Sequence, residues 1–365
     1  MKVALYALII MTLPVFASAQ ELYQDVQNTW RAEVIEVSDE HTVTVPGSDV
    51  ENSVQTLTVR FLEGEREGEW VTFENDYIQL DEGDRFYLNH LKTIDGREYY
   101  LVREVDRKGA MAIVFALFAG VVLLFGGMQG FRSLLSLAGS LLVIVYILVP
   151  HLVSGAAPIP LSILVAGLIL FFAIFFTHGF NKGSTVAFLG TMSAVVLTGI
   201  LAYWSVAFTG LTGFTSDETT YLNLNTGGQL DFVGLLLAAI IIGALGALDD
   251  IAVTQVAVVR ELRDANEKLS RREVYTKALR VGKEHVGALV NTLVLAYTGA
   301  ALPLMLLFAL SDSSIVSIMN REIFATEIIR SLVGSIGLVL TVPITTLLAV
   351  FLMQKGDKAP HAHTH

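Results

Sequence analysis

Residues 234–262 read GLLLAAIIIGALGALDDIAVTQVAVVREL. The surrounding run, Phe232 to Val259, is 28 residues long and is apolar apart from Asp249, Asp250, Thr254 and Gln255. An α-helix rises about 1.5 Å per residue, so about 20 residues cross a hydrocarbon layer of roughly 30 Å. The run therefore reads as a membrane-spanning helix. Asp249 falls about 25 Å below Phe232 along its axis, in the inner half of the bilayer or near its inner boundary. A carboxylate ionised against lipid costs several kcal/mol. Asp249 and Asp250 should therefore face the bundle interior or a wet cavity, where they would take up and release a proton or hold a small cation. Neighbours on a helix point about 100° apart, so the two need not share one role. The competing reading is a helix end emerging into water; the apolar residues from Ile251 to Val259 weigh against it.

The neighbours fit an interior position. Ala239, Gly243, Gly246 and Asp250 follow one helical stripe, and Ala239, Gly243 and Ala247 form a second row at spacing four. Small residues in such rows let helix backbones approach closely, so this face is expected to pack on another helix. Thr254 and Gln255 continue the polarity, and Asn291 and Thr292 are polar within the next apolar run. Thr341, Thr345 and Thr346 punctuate the last run; Pro303 and Pro343 are kink sites. These polar residues are expected to support the Asp pair or to hydrogen-bond between helices.

Working outward, the 365-residue chain is 53% hydrophobic and only 16% charged, with a mean hydropathy of +0.60. Soluble domains carry roughly 25% charge. From residue 109 to 354 the chain reads as an α-helical polytopic bundle of about seven spans, near 110–127, 133–153, 160–177, 185–209, 232–255, 286–310 and 331–353. Lys and Arg test that count. Arg132, Lys182, the eight bases from Arg260 to Lys283, and Lys355 and Lys358 fall on one side; Arg321 falls on the other, with Arg330 at a span boundary. This puts the C-terminus in the cytoplasm and the loop 210–231 outside. Residues 256–285 read as a cytoplasmic amphipathic segment on the inner membrane face, with a break near Ser270. No Lys or Arg lies in a span core, so a proton or another cation is the natural counter-charge for the Asp pair.

The N-terminal part is a different object. Residues 1–19 have the form of a secretory signal: Lys2, an apolar run from Ala4 to Phe16, and Ala17-Ser18-Ala19 before expected cleavage at Gln20. The alternative is an uncleaved anchor. Residues 20–108 form an acidic extracytoplasmic domain; from 21 to 108 there are nine Lys/Arg against 21 Asp/Glu, a net of −12. Six strand-like runs, Trp30–Val37, Thr42–Val45, Val54–Leu62, Trp70–Glu74, Arg85–Leu91 and Tyr99–Val105, are separated by turn residues such as Pro46-Gly47 and Asp95-Gly96. A small β barrel or sandwich follows, with an OB-like fold among the candidates. His41 and His90 read as surface or turn residues.

Several functions are disfavoured. With no Cys there is no disulfide, thiolate zinc site, iron–sulfur cluster or cysteine nucleophile. The net charge of −11 argues against nucleic acid. No nucleotide loop or HExxH motif occurs, so neither an enzyme nor a cofactor or metal site is expected. His151, His178 and His285 lie near span ends, and the tail His361-Ala362-His363-Thr364-His365, within residues 355–365, reads as incidental.

Two resemblances arise from these residues. The exported N-terminal segment, Met128-Gln129-Gly130-Phe131-Arg132, Gly179-Phe180-Asn181-Lys182 and the GALGALDD core within Gly243–Glu261 together resemble the YibE/F family of bacterial membrane proteins. That resemblance implies a multi-span membrane protein. Residues 243–310 also resemble the proton-relay half-repeat of resistance–nodulation–division transporters and the related SecD/SecF proteins. It rests on Gly246-Ala247-Leu248-Asp249-Asp250, Val256–Arg263, Glu273–Ala278 and Gly287-Ala288-Leu289. It implies that Asp249 and Asp250 translocate protons. The chain lacks the second half-repeat, the large exported domain and the membrane Lys of those transporters; a homo-oligomer or partner subunit would supply the missing half. The expectation is thus an inner-membrane transporter driven by protons or another cation, or a subunit of one. The alternative is a non-transport assembly factor or scaffold whose exported β domain binds a partner.

Overall fold

The computed structural model describes residues 26–44, 47, 51–93 and 97–354. The signal segment 1–19, Pro46, Asp95-Gly96 and the histidine tail lie outside the described residues. The chain divides into two compact units at Phe118/Ala119.

In the first unit, apolar and polar residues alternate along each strand, and the pleat sends them to opposite faces. Leu57, Val59 and Phe61 are buried on one strand, Phe86 and Leu88 on another, and both sets meet Ala32, Val34 and Val102 in one core. The strands are β1 (Val26–Thr44), β2 (Glu51–Phe61), β3 (Trp70–Asn75), β4 (Arg85–Lys92) and β5 (Glu98–Val105). They form one antiparallel sheet in the order β3-β2-β1-β4-β5. Two of the six expected runs are one strand: β1 passes through Val37–Thr42, where register shifts replace the expected turn. That stretch has no Gly or Pro to reverse the chain, and a bulge bends the strand instead. The first half of β1 pairs with β4 and the second half with β2. The sheet curls into a half-barrel: Phe73 on β3 packs on Tyr100 of β5, ring centres 6.1 Å apart. Gln55, buried in β2, pins Leu80 by accepting from its N–H (2.9 Å) and donating to its carbonyl (3.1 Å). His90 is not a surface residue: its ring is stacked between Trp30 and Tyr100, with Nε2 3.3 Å from Glu98. His41 is exposed beside Asp39.

The helices are α1 (Lys108–Val143), α2 (Val149–Val153), α3 (Pro158–Phe171), α4 (Lys182–Thr209), α5 (Asp217–Asn225), α6 (Phe232–Ala265), α7 (Arg271–Ala300), α8 (Leu302–Ala309), α9 (Ile315–Met319) and α10 (Glu322–Leu352). A π turn, Ile144–Leu148, joins α1 to α2, and another, Phe172–Phe176, extends α3. Among the described residues, five helical runs are long and apolar enough to cross a membrane: Lys108–Val153, Pro158–Phe176, α4, α6 and α10. Counting α7 and α8 as one span bent by 60° makes six. The bend falls where Pro303 enters the first turn of α8.

The run Lys108–Val153 is not straight. Gly127 has φ 51° and ψ −134°, a conformation no side-chain-bearing residue adopts cheaply. A Cβ on Gly130 would collide with the carbonyl of Val122. Residues eight apart on a straight helix are about 12 Å apart, so the chain folds back here. The expected amphipathic segment 256–285 is not a separate element. Its first part continues α6 to Ala265, and after the turn at 266–270 the capping box of Ser270 and Glu273 starts α7, which runs on into the next apolar stretch. The core of this unit is α4, α6 and α10, crossing where glycines admit side chains: Gly190 receives Thr345, and Gly337 receives Thr198. α10 continues through Pro343 as a single helix.

Candidate functional site

α6 positions the site. Asp231 caps its start by accepting from the Gly234 N–H (2.9 Å), and the helix then buries Leu237, Ile241, Ala244, Leu245, Leu248 and Ile251 against α4 and α10. The phase set by this face puts Asp249 at the edge of the core and Asp250 beyond it. Asp249 is half-buried, and its Oδ1 is fully enclosed with no hydrogen-bond partner in the protein; Asp250 is exposed. Both line a cavity of about 340 Å³, together with Thr254, Gln255, His178 and His285. Among the described residues, no Lys or Arg lines it. Two carboxylates therefore share a polar pocket between otherwise apolar helices, with two histidines as the other titratable side chains on its wall.

The expected supporting residues separate into two groups. Thr254 lines the cavity, and Gln255 is buried with its Oε1 accepting from Thr346 Oγ1 at 2.9 Å. Gly282 of α7 makes room for the Gln255 amide, which lies 2.6 Å from where a Cβ would stand. Gln255 and Thr346 thus hold α6, α7 and α10 together beneath the Asp pair. Asn291 and Thr292 are exposed and lie elsewhere; the Thr292 hydroxyl donates to the Ala288 carbonyl (2.9 Å). Among the small residues, Ala247 is half-buried at the edge of the core, whereas Ala239, Gly243 and Gly246 lie on the exposed side of α6. They are not the face that packs on α4 and α10.

His178 and His285 are additions to the site. Each was legible only as a residue near a span end. The signal that links them to the Asp pair is that each lies at the end of an apolar run, 160–177 and 286–310. Among the described residues, no three His, Asp or Glu side chains form a metal-holding group.

Long apolar helices packed around a polar cavity define a polytopic membrane protein. A model of the YibE/F-like protein family matches residues 114–355, about two thirds of the chain, and the chain belongs to that family. The match takes in every helix of the cavity. No curated protein and no solved structure matches it.

Proposed function

We propose that this chain is a membrane transporter coupled to protons or another small cation, or a subunit of one, with Asp249 and Asp250 taking up and releasing the cation. The observation that carries this reading is the enclosed Asp249 Oδ1, which has no protein partner, in a cavity shared with Asp250 and lined, among the described residues, by no Lys or Arg. A buried carboxylate needs a partner, and with no Lys or Arg on the wall a proton or small cation, shared with the histidines, can take that place. The likeness to the half-repeat of resistance–nodulation–division transporters and SecD/SecF supports the same roles, and a second copy or a partner membrane subunit would complete the pathway. We assign the chain no catalytic reaction and no cofactor.

Seven spans fit this proposal when the fold at Gly127 divides the first run in two and α7 with α8 counts as one. With that count the basic bias supports a first unit outside the cytoplasm and a C-terminus inside, and we propose the inner membrane as its location. The order β3-β2-β1-β4-β5, with β1 shared by both halves and the edges curled together, supports the OB-like reading. The scaffold alternative also has a specific support: Trp70 on edge strand β3 and Tyr99 and Leu101 on edge strand β5 are exposed, as a partner-binding surface would have them.

The test is proton and sodium flux in proteoliposomes for wild type and for the Asp249→Asn/Asp250→Asn double variant. A relay predicts flux that the double variant loses. Unchanged flux in a correctly inserted double variant would overturn the relay and favour the scaffold.

A further inference from the structure

A second cavity, of about 370 Å³, lies between Arg132 of α1 and the end of α3. Apart from Arg132 and Gly179 its lining is aromatic, and all five rings come from residues 171–180. The π turn at Phe172–Phe176 closes i→i+5 bonds, a bulge that recurs at functional sites. Beyond it Gly179, at φ 81°, turns the chain, its N–H donating to the Phe175 carbonyl (2.9 Å). That turn lays the Phe180 ring on Phe175, with centres 4.9 Å apart and planes 17° from parallel; Phe171 joins the cluster 5.0 Å from Phe175. Asn181 fixes the turn. Its amide donates to the His178 carbonyl (3.0 Å), and its Oδ1 accepts from the Ser184 N–H (2.8 Å) to cap α4.

Among the described residues, Arg132 is the one charged side chain on this wall, and no carboxylate, carbonyl or ring holds it. Its counter-charge therefore comes from outside the chain. Arg132 lies between the apolar runs 110–127 and 133–153, and Phe171–Phe180 close the run 160–177. Both sides of the cavity thus stand at span ends, the level of lipid headgroups. Phe172 and Phe176 are each 46% exposed, so the wall is open to whatever surrounds the helices. One cation beside exposed rings matches an anionic amphiphile. Guanidinium binds phosphate through paired N–H groups, and the rings offer an acyl chain apolar surface. A free anion would leave the rings wet. A zwitterionic lipid would bring a cationic group to a wall that, among the described residues, has no Asp or Glu.

We propose that this cavity binds one anionic phospholipid, with its phosphate on Arg132 and an acyl chain along Phe172 and Phe176. Basic pockets between spans take anionic headgroups in this way. The site is independent of the relay, since Arg132 and the Asp pair line separate cavities. It also gives a role to the stretches Met128–Arg132 and Gly179–Lys182, which the relay leaves unused.

The test is lipid retention by the full chain in a neutral detergent, read by native mass spectrometry with dioleoyl-phosphatidylglycerol or dioleoyl-phosphatidylcholine added. It is scored on the last lipid to leave as collision energy rises. Wild type should prefer phosphatidylglycerol by about fivefold or more, the effect of one basic residue at a headgroup. Arg132→Gln should remove that preference. Phe176→Glu sets a repelling charge on the open wall, leaves Arg132 in place, and should remove it too, so the outcome does not hang on one variant. Arg280→Gln takes a base from an exposed position of α7 and should keep the preference. Equal retention of both lipids by wild type, or an unchanged preference in Arg132→Gln or Phe176→Glu, overturns the site. So does an equal loss in Arg280→Gln, the mark of diffuse attraction to many bases. Displacement of the lipid by millimolar inorganic phosphate would assign the cavity to a free anion and overturn it as well. Flux in Asp249→Asn/Asp250→Asn bears on the relay alone.

Discussion

Gly190→Ala tests the crossing that holds the site's helices in place. A Cβ at Gly190 would stand 2.5 Å from Thr345 Oγ1, 2.9 Å from Cγ2 and 3.0 Å from Cβ. Thr345 is fully buried, so its side chain has nowhere to move and α4 must separate from α10. Overpacking of this kind costs about 1–3 kcal/mol. For a unit of this size that corresponds to a drop of roughly 2–4 °C in midpoint per kcal/mol. Thr345→Gly removes all three obstructing atoms, so the double variant Gly190→Ala/Thr345→Gly should recover most of what Gly190→Ala loses. The coupling in this cycle should be about 1 kcal/mol or more, as expected for residues in direct contact. The assay is thermal unfolding in detergent, followed by helical circular dichroism, on all four proteins. A neutral Gly190→Ala, or losses that simply add in the double variant, would refute the crossing.

Other perturbations test other parts of the chain. Leu88→Ala, at a fully buried position in β4, should cost about 2–5 kcal/mol and loosen the first unit, read by Trp fluorescence under denaturant. Arg60 donates to Glu33 (2.7 Å) and holds its carboxyl below the usual range, while the Lys108 N–H does the same for Asp106. Depressed carboxyls stabilise above their unfolded pKa and lose that contribution as pH falls through the folded value. The first unit should therefore weaken progressively below about pH 4.5, and Glu33→Gln should flatten that dependence in a pH series of unfolding curves. Thr346→Val leaves the buried Gln255 Oε1 without its donor and should cost about 1 kcal/mol; Gln255→Leu/Thr346→Val should cost less than the two single changes summed, checked by a double-mutant cycle in detergent.

What was legible in the sequence followed from runs long enough to dictate their own surroundings. Phe232 to Val259 could only be a span, and the position of Asp249 within it followed from the helical rise. The strands of the first unit were legible in their alternation, except where the Val37–Thr42 stretch of β1 bends instead of turning. The rest depended on which helix meets which face. The stripe at Ala239, Gly243 and Gly246 has the spacing of a packing row, but spacing does not say whether a neighbour covers it; the larger apolar residues of the opposite face took α4 and α10. Asn291 and Thr292 are close in sequence to Leu289, which lines the cavity. Asn291, two residues on, points about 200° away from it. His178 and His285 come from helices distant in the chain, and only tertiary packing brings them to the Asp pair.

Infrared difference spectroscopy of the reconstituted protein examines Asp249 directly, because a protonated carboxyl has its own C=O stretch. If Asp249 exchanges a proton with the cavity, a pH step should produce a carboxyl band that shifts on isotopic labelling of aspartate and is missing from Asp249→Asn. Difference spectra of wild type and Asp249→Asn that superimpose across the pH range would contradict the relay.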